Sequence, residues 1–253
     1  MSATEISLWV GCRATHAESI EHRHAEFAAN MTRLGRPLGW LGLTVPPVPD
    51  CGDQLSAAYT IKYPVRGLRF IGHYVYRGER YIYRDEAKFD DLLHFGFKIS
   101  NRALDYTAIL GEHLPQVIRA FRGYRAFVSY DGYTAAQLGG YVPSEDGSTA
   151  FDERGNAIER NPTYNRLRRD ESIDINGRNN IYTLQPAQYW DAELCRRALG
   201  YGRDEVIRRL QGLVPKVEPL MDGVYVVFNE DPALSYEAFI EFNERFKLFL
   251  GLL

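Results

Sequence analysis

Cysteine is scarce in this chain, with three among 253 residues, at Cys12, Cys51 and Cys195. An odd, widely scattered set excludes a disulfide framework and CxxC-type zinc chemistry, and predicts three reduced, mostly buried thiols. Long hydrophobic runs are missing as well. No stretch approaches the roughly 18 apolar residues of a membrane span, so no membrane partner is expected. The opening, MSATEISLWVGCRATHAES, has neither the basic nor the apolar region of a secretory signal, which predicts a cytoplasmic protein. A basic excess is also absent. Thirty Lys and Arg against 33 Asp and Glu leave a net charge of −3 and a pI near 6.1. Direct nucleic-acid binding, which usually needs a basic face, is not expected.

Catalytic and cofactor motifs are equally sparse. There is no G-x-S-x-G nucleophile elbow and no GxxxxGK[ST] loop, and Gly139-Gly140 and Gly200–Gly202 lack a strand-loop-helix setting. His16, His22 and His24 fall on one predicted helix at spacings of six and two, so their side chains diverge rather than converge on a metal. His73, His94 and His113 have no neighbouring ligand pattern. The expectation is therefore no catalytic residue, no metal and no cofactor. One outline stands as the alternative. Asp85-Glu86-Ala87-Lys88, combined with Asp53, has the residue types of a metal-dependent nuclease or hydrolase, in which Asp53 and Glu86 would hold a hard cation and Lys88 would stabilise charge. The plainer account of the same residues is a solvated helix start, with its acids favoured by the helix dipole.

What the chain does have is ordinary globular composition, 45% hydrophobic and 25% charged, with 17 tyrosines. Tyrosine suits both half-buried strands and recognition surfaces. EISLWV (5–10) alternates like a strand. Thr15 and Glu18 form a capping box for a helix running to about Leu34. A short helix is predicted through Leu55 and Tyr59, a hairpin over 73–84, a helical turn from Asp85 to Leu93, and strands over 94–100 and 105–110. Pro115 opens another helix, and RAFVSY (125–130) is a strand. Residues 143–180 are polar, and Phe151 and Ile158 flank a DERGN turn. A helix opened by Pro186 carries Trp190 and Leu194, and another follows from Arg203. GVYVVF (223–228) is a strand, and Ser235 caps an amphipathic C-terminal helix with Phe239, Phe242, Phe246 and Phe249 on one stripe. The mixture predicts an α+β fold with a mainly antiparallel sheet and several packed helices. It would form one domain over 1–253, or two subdomains (1–142 and 181–253) joined by the polar excursion 143–180.

Without a catalytic set, binding is the expected role. Tyr81, Tyr83, Asp85, Glu86, Asp90 and Asp91 place carboxylates beside aromatics, a combination that would steer a basic partner. Asp152, Glu153 and Tyr164 extend the candidate contact surface into the polar excursion.

Leu8-Trp9-Val10-Gly11-Cys12-Arg13, followed by Glu18-Ser19, resembles the opening of the immunity protein 52 family, in which an aromatic-Trp-Gly strand and an Arg precede a Glu-Ser helix start. Val10 separates Trp9 from Gly11 here, and three additional residues separate Arg13 from Glu18. GFKISN (96–101) is similar to a Gly-Phe strand further along in that family. The resemblance covers about the first half of the chain. It implies an antidote whose partner is a cognate toxin, a nuclease of restriction-endonuclease-like fold delivered between competing bacteria by a type VI secretion system. The rival roles are the metal-dependent hydrolase and a secretion-system adaptor.

Overall fold

Strand β1 (Glu5–Arg13) follows from simple alternation. Ile6, Leu8, Val10 and Cys12 are buried on one face, while Ser7, Trp9 and Arg13 are half-buried on the other. In the computed structural model, which describes residues 4–77, 90–133, 141–142, 144–146, 148–160, 162–169 and 177–252, this strand lies inside an eight-stranded sheet. The other strands are β2 (Ser56–Tyr59), β3 (Arg69–Val75), β4 (Asp90–Lys98), β5 (Arg125–Tyr130), β6 (Ala187–Trp190), β7 (Lys216–Leu220) and β8 (Gly223–Val227). Their spatial order is β2-β3-β4-β1-β5-β6-β8-β7, and every neighbouring pair is antiparallel. With helices packed on it and a long C-terminal helix, Tyr236–Leu250, the fold is α+β. Among the described residues, no helix is long and apolar enough to cross a membrane.

The two faces of the sheet feed two cores. The first gathers Ile6, Leu8, Val10, Phe70, Leu93 and Phe95 against Phe27 and Met31 of the helix Ile20–Met31, together with Leu114, Val117 and Ile118. The second lies on the opposite face of the later strands. There Trp190, Val224 and Val226 meet Leu194, Cys195, Val206, Leu210, Phe246 and Leu250. All three cysteines are buried and unpaired, and burial raises the Cys12 thiol to about 11.

Local structure departs from the sequence pattern where side chains compete for the backbone. The first helix is capped by Ser19, whose hydroxyl accepts the His22 N–H at 3.2 Å, and not by Thr15. Residues 56–59 are strand rather than helix, and Asp90–Leu93 belong to β4 rather than to a helical turn. The segment from Tyr106 is helical rather than extended, because Asp105 caps it through the Ala108 N–H at 3.0 Å. It passes through a π-helical turn, Ile109–His113, into the helix Leu114–Ala120. Pro115 has no N–H to donate to the Gly111 carbonyl, which instead accepts from the Lys216 ammonium at 2.9 Å. The neighbouring Leu110 carbonyl accepts from the Tyr225 hydroxyl, also at 2.9 Å. Trp190 ends a strand rather than sitting on a helix. Asp191 then caps the helix Ala192–Leu199. The 105–110 and Pro186 segments show tertiary partners and caps overriding local propensity.

Two successive carboxylates open β4 and point to opposite faces. Asp91 is fully buried. It accepts from both terminal nitrogens of Arg77, at 2.9 and 2.6 Å, and from the Val75 N–H at 3.1 Å, with the wholly buried Arg23 3.8 Å away. Arg23 stacks over Phe121 and donates to its carbonyl. Asp90 is held from the other face by Tyr124, by Arg125 at 3.3 Å and by Arg178 at 2.6 Å. Removing one member of a buried pair strands the remaining charges. Asp91→Ala is therefore expected to cost about 3–5 kcal/mol in urea-monitored unfolding; a loss under about 1 kcal/mol, the scale of exposed ion pairs, would contradict this account.

Candidate functional site: an aromatic row on the open sheet face

Antiparallel register places directly opposed residues on one face. On the face away from the first core, the pairings Ile71↔His94, His94↔Trp9, Trp9↔Phe127, Phe127↔Gln188 and Gln188↔Val226 form one row across six strands. At Val226 the row enters the second core. At its other end it is different in kind. Ile71, Trp9 and Phe127, with Leu92 beside them, belong to neither core and are only half-buried.

Ring contacts make this strip continuous. The Trp9 indole stacks on His94 with centroids 4.1 Å apart and planes 17° apart, and on Phe127 at 6.4 Å. The His94 ring is oriented by a 2.9 Å contact between Nε2 and the Ser7 hydroxyl. Burial, assisted by the Arg69 guanidinium and by His73, holds His94 below its ordinary value of 6.5, and burial likewise lowers His73. Both imidazoles are thus neutral at pH 7, and the strip presents flat, uncharged π-faces. Such a surface can stack on a partner's aromatic or apolar side chains.

The cluster with metal-ligating residue types lies elsewhere. Glu18, His22 and Glu26, spaced by four, bring one ligand atom each to within 4.8 Å of one another. The Arg122 guanidinium already bridges the two carboxylates, pairing with Glu18 and lying 3.2 Å from Glu26. A search for histidine pairs alone misses this triad, because its signal is the Glu-x3-His-x3-Glu spacing. Next to it, a cleft of about 560 Å³ is walled by Arg13, Glu18, Arg122, Tyr124 and Asp191. Its charges are matched internally: Arg13 pairs with Asp191 and stacks 4.0 Å from the Tyr124 ring.

The residues predicted from sequence are dispersed. Asp90 and Asp91 do not present carboxylates to a partner. Both are buried and satisfied by arginines, because the β4 start is covered on both faces. Desolvation raises Asp90 above its ordinary carboxylate value, against the opposing pull of Tyr124, Arg178 and Arg125. Tyr81, Tyr83, Asp85 and Glu86, and Lys88 of the hydrolase outline, lie outside the described residues. Asp53 is exposed in the turn before β2. Asp152 and Glu153 are exposed in a hairpin turn closed by the bridge Phe151↔Ala157, where the Asp152 carboxylate accepts the N–H groups of Arg154 and Asn156. Tyr164 belongs to the helix Pro162–Arg169. The tyrosines that suggested a recognition surface are in large part core residues. Tyr63, Tyr130, Tyr133 and Tyr225 each bury the ring and donate the hydroxyl to a backbone carbonyl.

No protein-family model matches the chain, so the resemblance to the immunity protein 52 family has no support from one. No curated protein matches it either. Among solved structures the chain is similar to the Pseudomonas aeruginosa T6SS protein PA0821, at 14% identity and a TM-score of 0.46. The likeness covers 99% of this chain and 76% of that one.

The imidazole in the strip supplies a direct check. NMR titration of His94 is expected to give a midpoint below 6.5, moving upward when Arg69→Ala removes the neighbouring cation. A folded pKa below the unfolded one means that this histidine's contribution to stability is present above pH 6.5 and is lost as pH falls through the folded value. A midpoint at or above 6.5 in the native protein contradicts the burial described.

Proposed function

We propose that this protein is a stoichiometric binding protein, an antidote that docks a cognate toxin domain on its open sheet face and occludes a surface the toxin needs. The observation that carries this reading is the half-buried row of Ile71, His94, Trp9 and Phe127, which serves neither core. Apolar surface of that kind, rimmed by polar groups such as Ser7 and Arg69, is typical of protein interaction sites. Tryptophan is also among the residues that most often dominate binding energy.

The residues behind the immunity-family resemblance fit the same picture. Trp9 stands at the centre of the row. Arg13 fixes Asp191 at a helix start, Glu18 pairs with Arg122, and Ser19 caps the first helix. One residue of that motif would thus meet the partner, and the others would hold the strand that presents it. A nuclease toxin is the partner the resemblance implies, and the cytoplasm the compartment where it would be met. Asp152 and Glu153 provide an exposed acidic turn suited to a basic nucleic-acid-cleaving partner. Tyr81, Tyr83, Asp85, Glu86 and Tyr164 stay in the proposal as sequence-derived contacts, whereas Asp90 and Asp91 drop out.

The test is co-expression with a toxin domain, which an antidote role requires to be encoded beside this gene. The native chain should rescue growth, and Trp9→Ala or Phe127→Ala should weaken binding by about 2 kcal/mol or more, roughly 30-fold. Undiminished binding by a folded Trp9→Ala/Phe127→Ala double variant would remove the sheet face from the interface. Failure of the native chain to rescue would remove the antidote role itself.

A further inference from the structure

Glu18, His22 and Glu26 bring one imidazole and two carboxylates together at the start of the first helix, with ligand atoms within 4.8 Å of one another. Around a tetrahedral zinc such atoms stand about 3.4 Å apart, as bonds of about 2.1 Å require. Small side-chain rotations close that gap, and all three residues reach solvent. The backbone beneath them is fixed. Ser19 caps the helix through the His22 N–H at 3.2 Å, which sets the first turn. The Glu18 carbonyl accepts from Arg77 Nε at 3.1 Å, and Arg77 is itself held by the buried Asp91. Glu26 lies one turn beyond His22 on the same helix.

A cation already marks the place. The Arg122 guanidinium pairs with Glu18 and lies 3.2 Å from Glu26. Its backbone is left-handed, with φ of 46°, just past the end of the helix Leu114–Ala120, where glycine or asparagine is usual. An arginine there accepts a steric cost that glycine avoids. Among the described residues one other non-glycine residue, Met221, shares that conformation, and it lines the same cleft as Glu18 and Arg122. The Arg122 side chain is 44% exposed and is free to swing aside into that cleft. The donor set selects what would replace it. Carboxylates alone suit a hard cation, whereas the imidazole nitrogen favours a borderline divalent ion such as zinc over Mg²⁺ or Ca²⁺. Such an ion brings twice the charge of the guanidinium and engages the imidazole as well.

We infer that Glu18, His22 and Glu26 form an exchangeable site for a divalent transition-metal ion of the zinc type, which binds in place of the Arg122 guanidinium. Three protein ligands leave a fourth position for water, or for a group entering from the neighbouring cleft. Arg122, once released, adds its charge to the cleft wall that Arg13 shares. None of the three ligands belongs to the aromatic row, so the site stands apart from the antidote reading.

The test needs no partner. Zn²⁺ is titrated into the full chain in a non-chelating buffer, followed by the His22 imidazole resonances and by the melting temperature. Zn²⁺ should bind saturably, shift the His22 ring and raise the melting temperature, since the ion binds the folded form. Mg²⁺ in excess should leave the His22 ring unmoved. His22→Ala, at an exposed position, should weaken binding about tenfold or more. Arg122→Gly removes the competing cation and suits the left-handed backbone, so the variant should fold and bind Zn²⁺ about tenfold tighter. Absence of saturable binding, undiminished affinity in His22→Ala, an equal response to Mg²⁺, or unchanged affinity in Arg122→Gly would each overturn the site. Should Arg122→Gly fail to fold, Glu26→Gln decides in its place: weaker Zn²⁺ binding supports the site, and unchanged binding overturns it.

Discussion

Two adjacent carboxylates at the start of β4 organise the first half of the molecule. Asp90 and Asp91 project to opposite faces of one strand, as strand geometry requires, and each is buried. An isolated carboxylate in such surroundings is untenable, so each draws guanidinium groups from distant parts of the chain. Asp91 ties the first helix, through Arg23, to the end of β3, through Arg77 and the Val75 amide. Asp90 ties β5, through Tyr124 and Arg125, to the chain around Arg178. The pair thereby joins segments more than eighty residues apart at one point of the sheet. By itself a buried ion pair is weak evidence of net stabilisation. Its consequence here is specificity, since shifting β4 by one residue would turn each carboxylate onto the wrong set of arginines.

Register is also what builds the surface. With β4 fixed against β1, His94 falls opposite Trp9, and with β5 fixed, Phe127 falls on Trp9's other side. The aromatic row is thus a product of long-range pairing rather than of any local motif. Its position explains its partial exposure. The second core covers this face only from β6 onward, so the same row that is sealed at Val226 is half-open at Trp9.

Much of the fold was legible from pattern. The α+β class, the antiparallel sheet, β1, β5, β8 and the Ser235-capped C-terminal helix all follow from alternation, caps and helical spacing. The misses share a cause. Asp90 and Asp91 look like solvated charge in a linear sequence, because the arginines that neutralise them are 14 to 88 residues away. At Tyr106–Ala108 the Asp105 cap was a local signal that the extended reading passed over, whereas the Lys216 and Tyr225 partners of the carbonyls in the turn that follows cannot be seen locally. β7 escapes notice because Pro219 interrupts its pattern, which an edge strand tolerates. For the site, alternation around Trp9 held the one usable signal: an aromatic facing away from Leu8 and Val10 on a strand whose other side already forms a core.

Burial of the acidic pair sets the kind of recognition this surface could perform. A cluster of free carboxylates would act mainly at long range, raising association rates in a salt-dependent way. Carboxylates already saturated by arginine exert little outward field, and they leave a neutral strip of stacked rings as the distinctive feature of this face. In the binding role proposed here, recognition there would depend on shape and desolvation, and would show itself in dissociation rates more than in encounter rates. Under the same proposal, exposed Asp152 and Glu153, in a turn closed by its own backbone bridge, would keep the steering role. Attraction and adhesion would thus fall to separate parts of the chain. A salt series should then alter how fast a basic partner arrives, whereas truncating Trp9 should alter how long it stays.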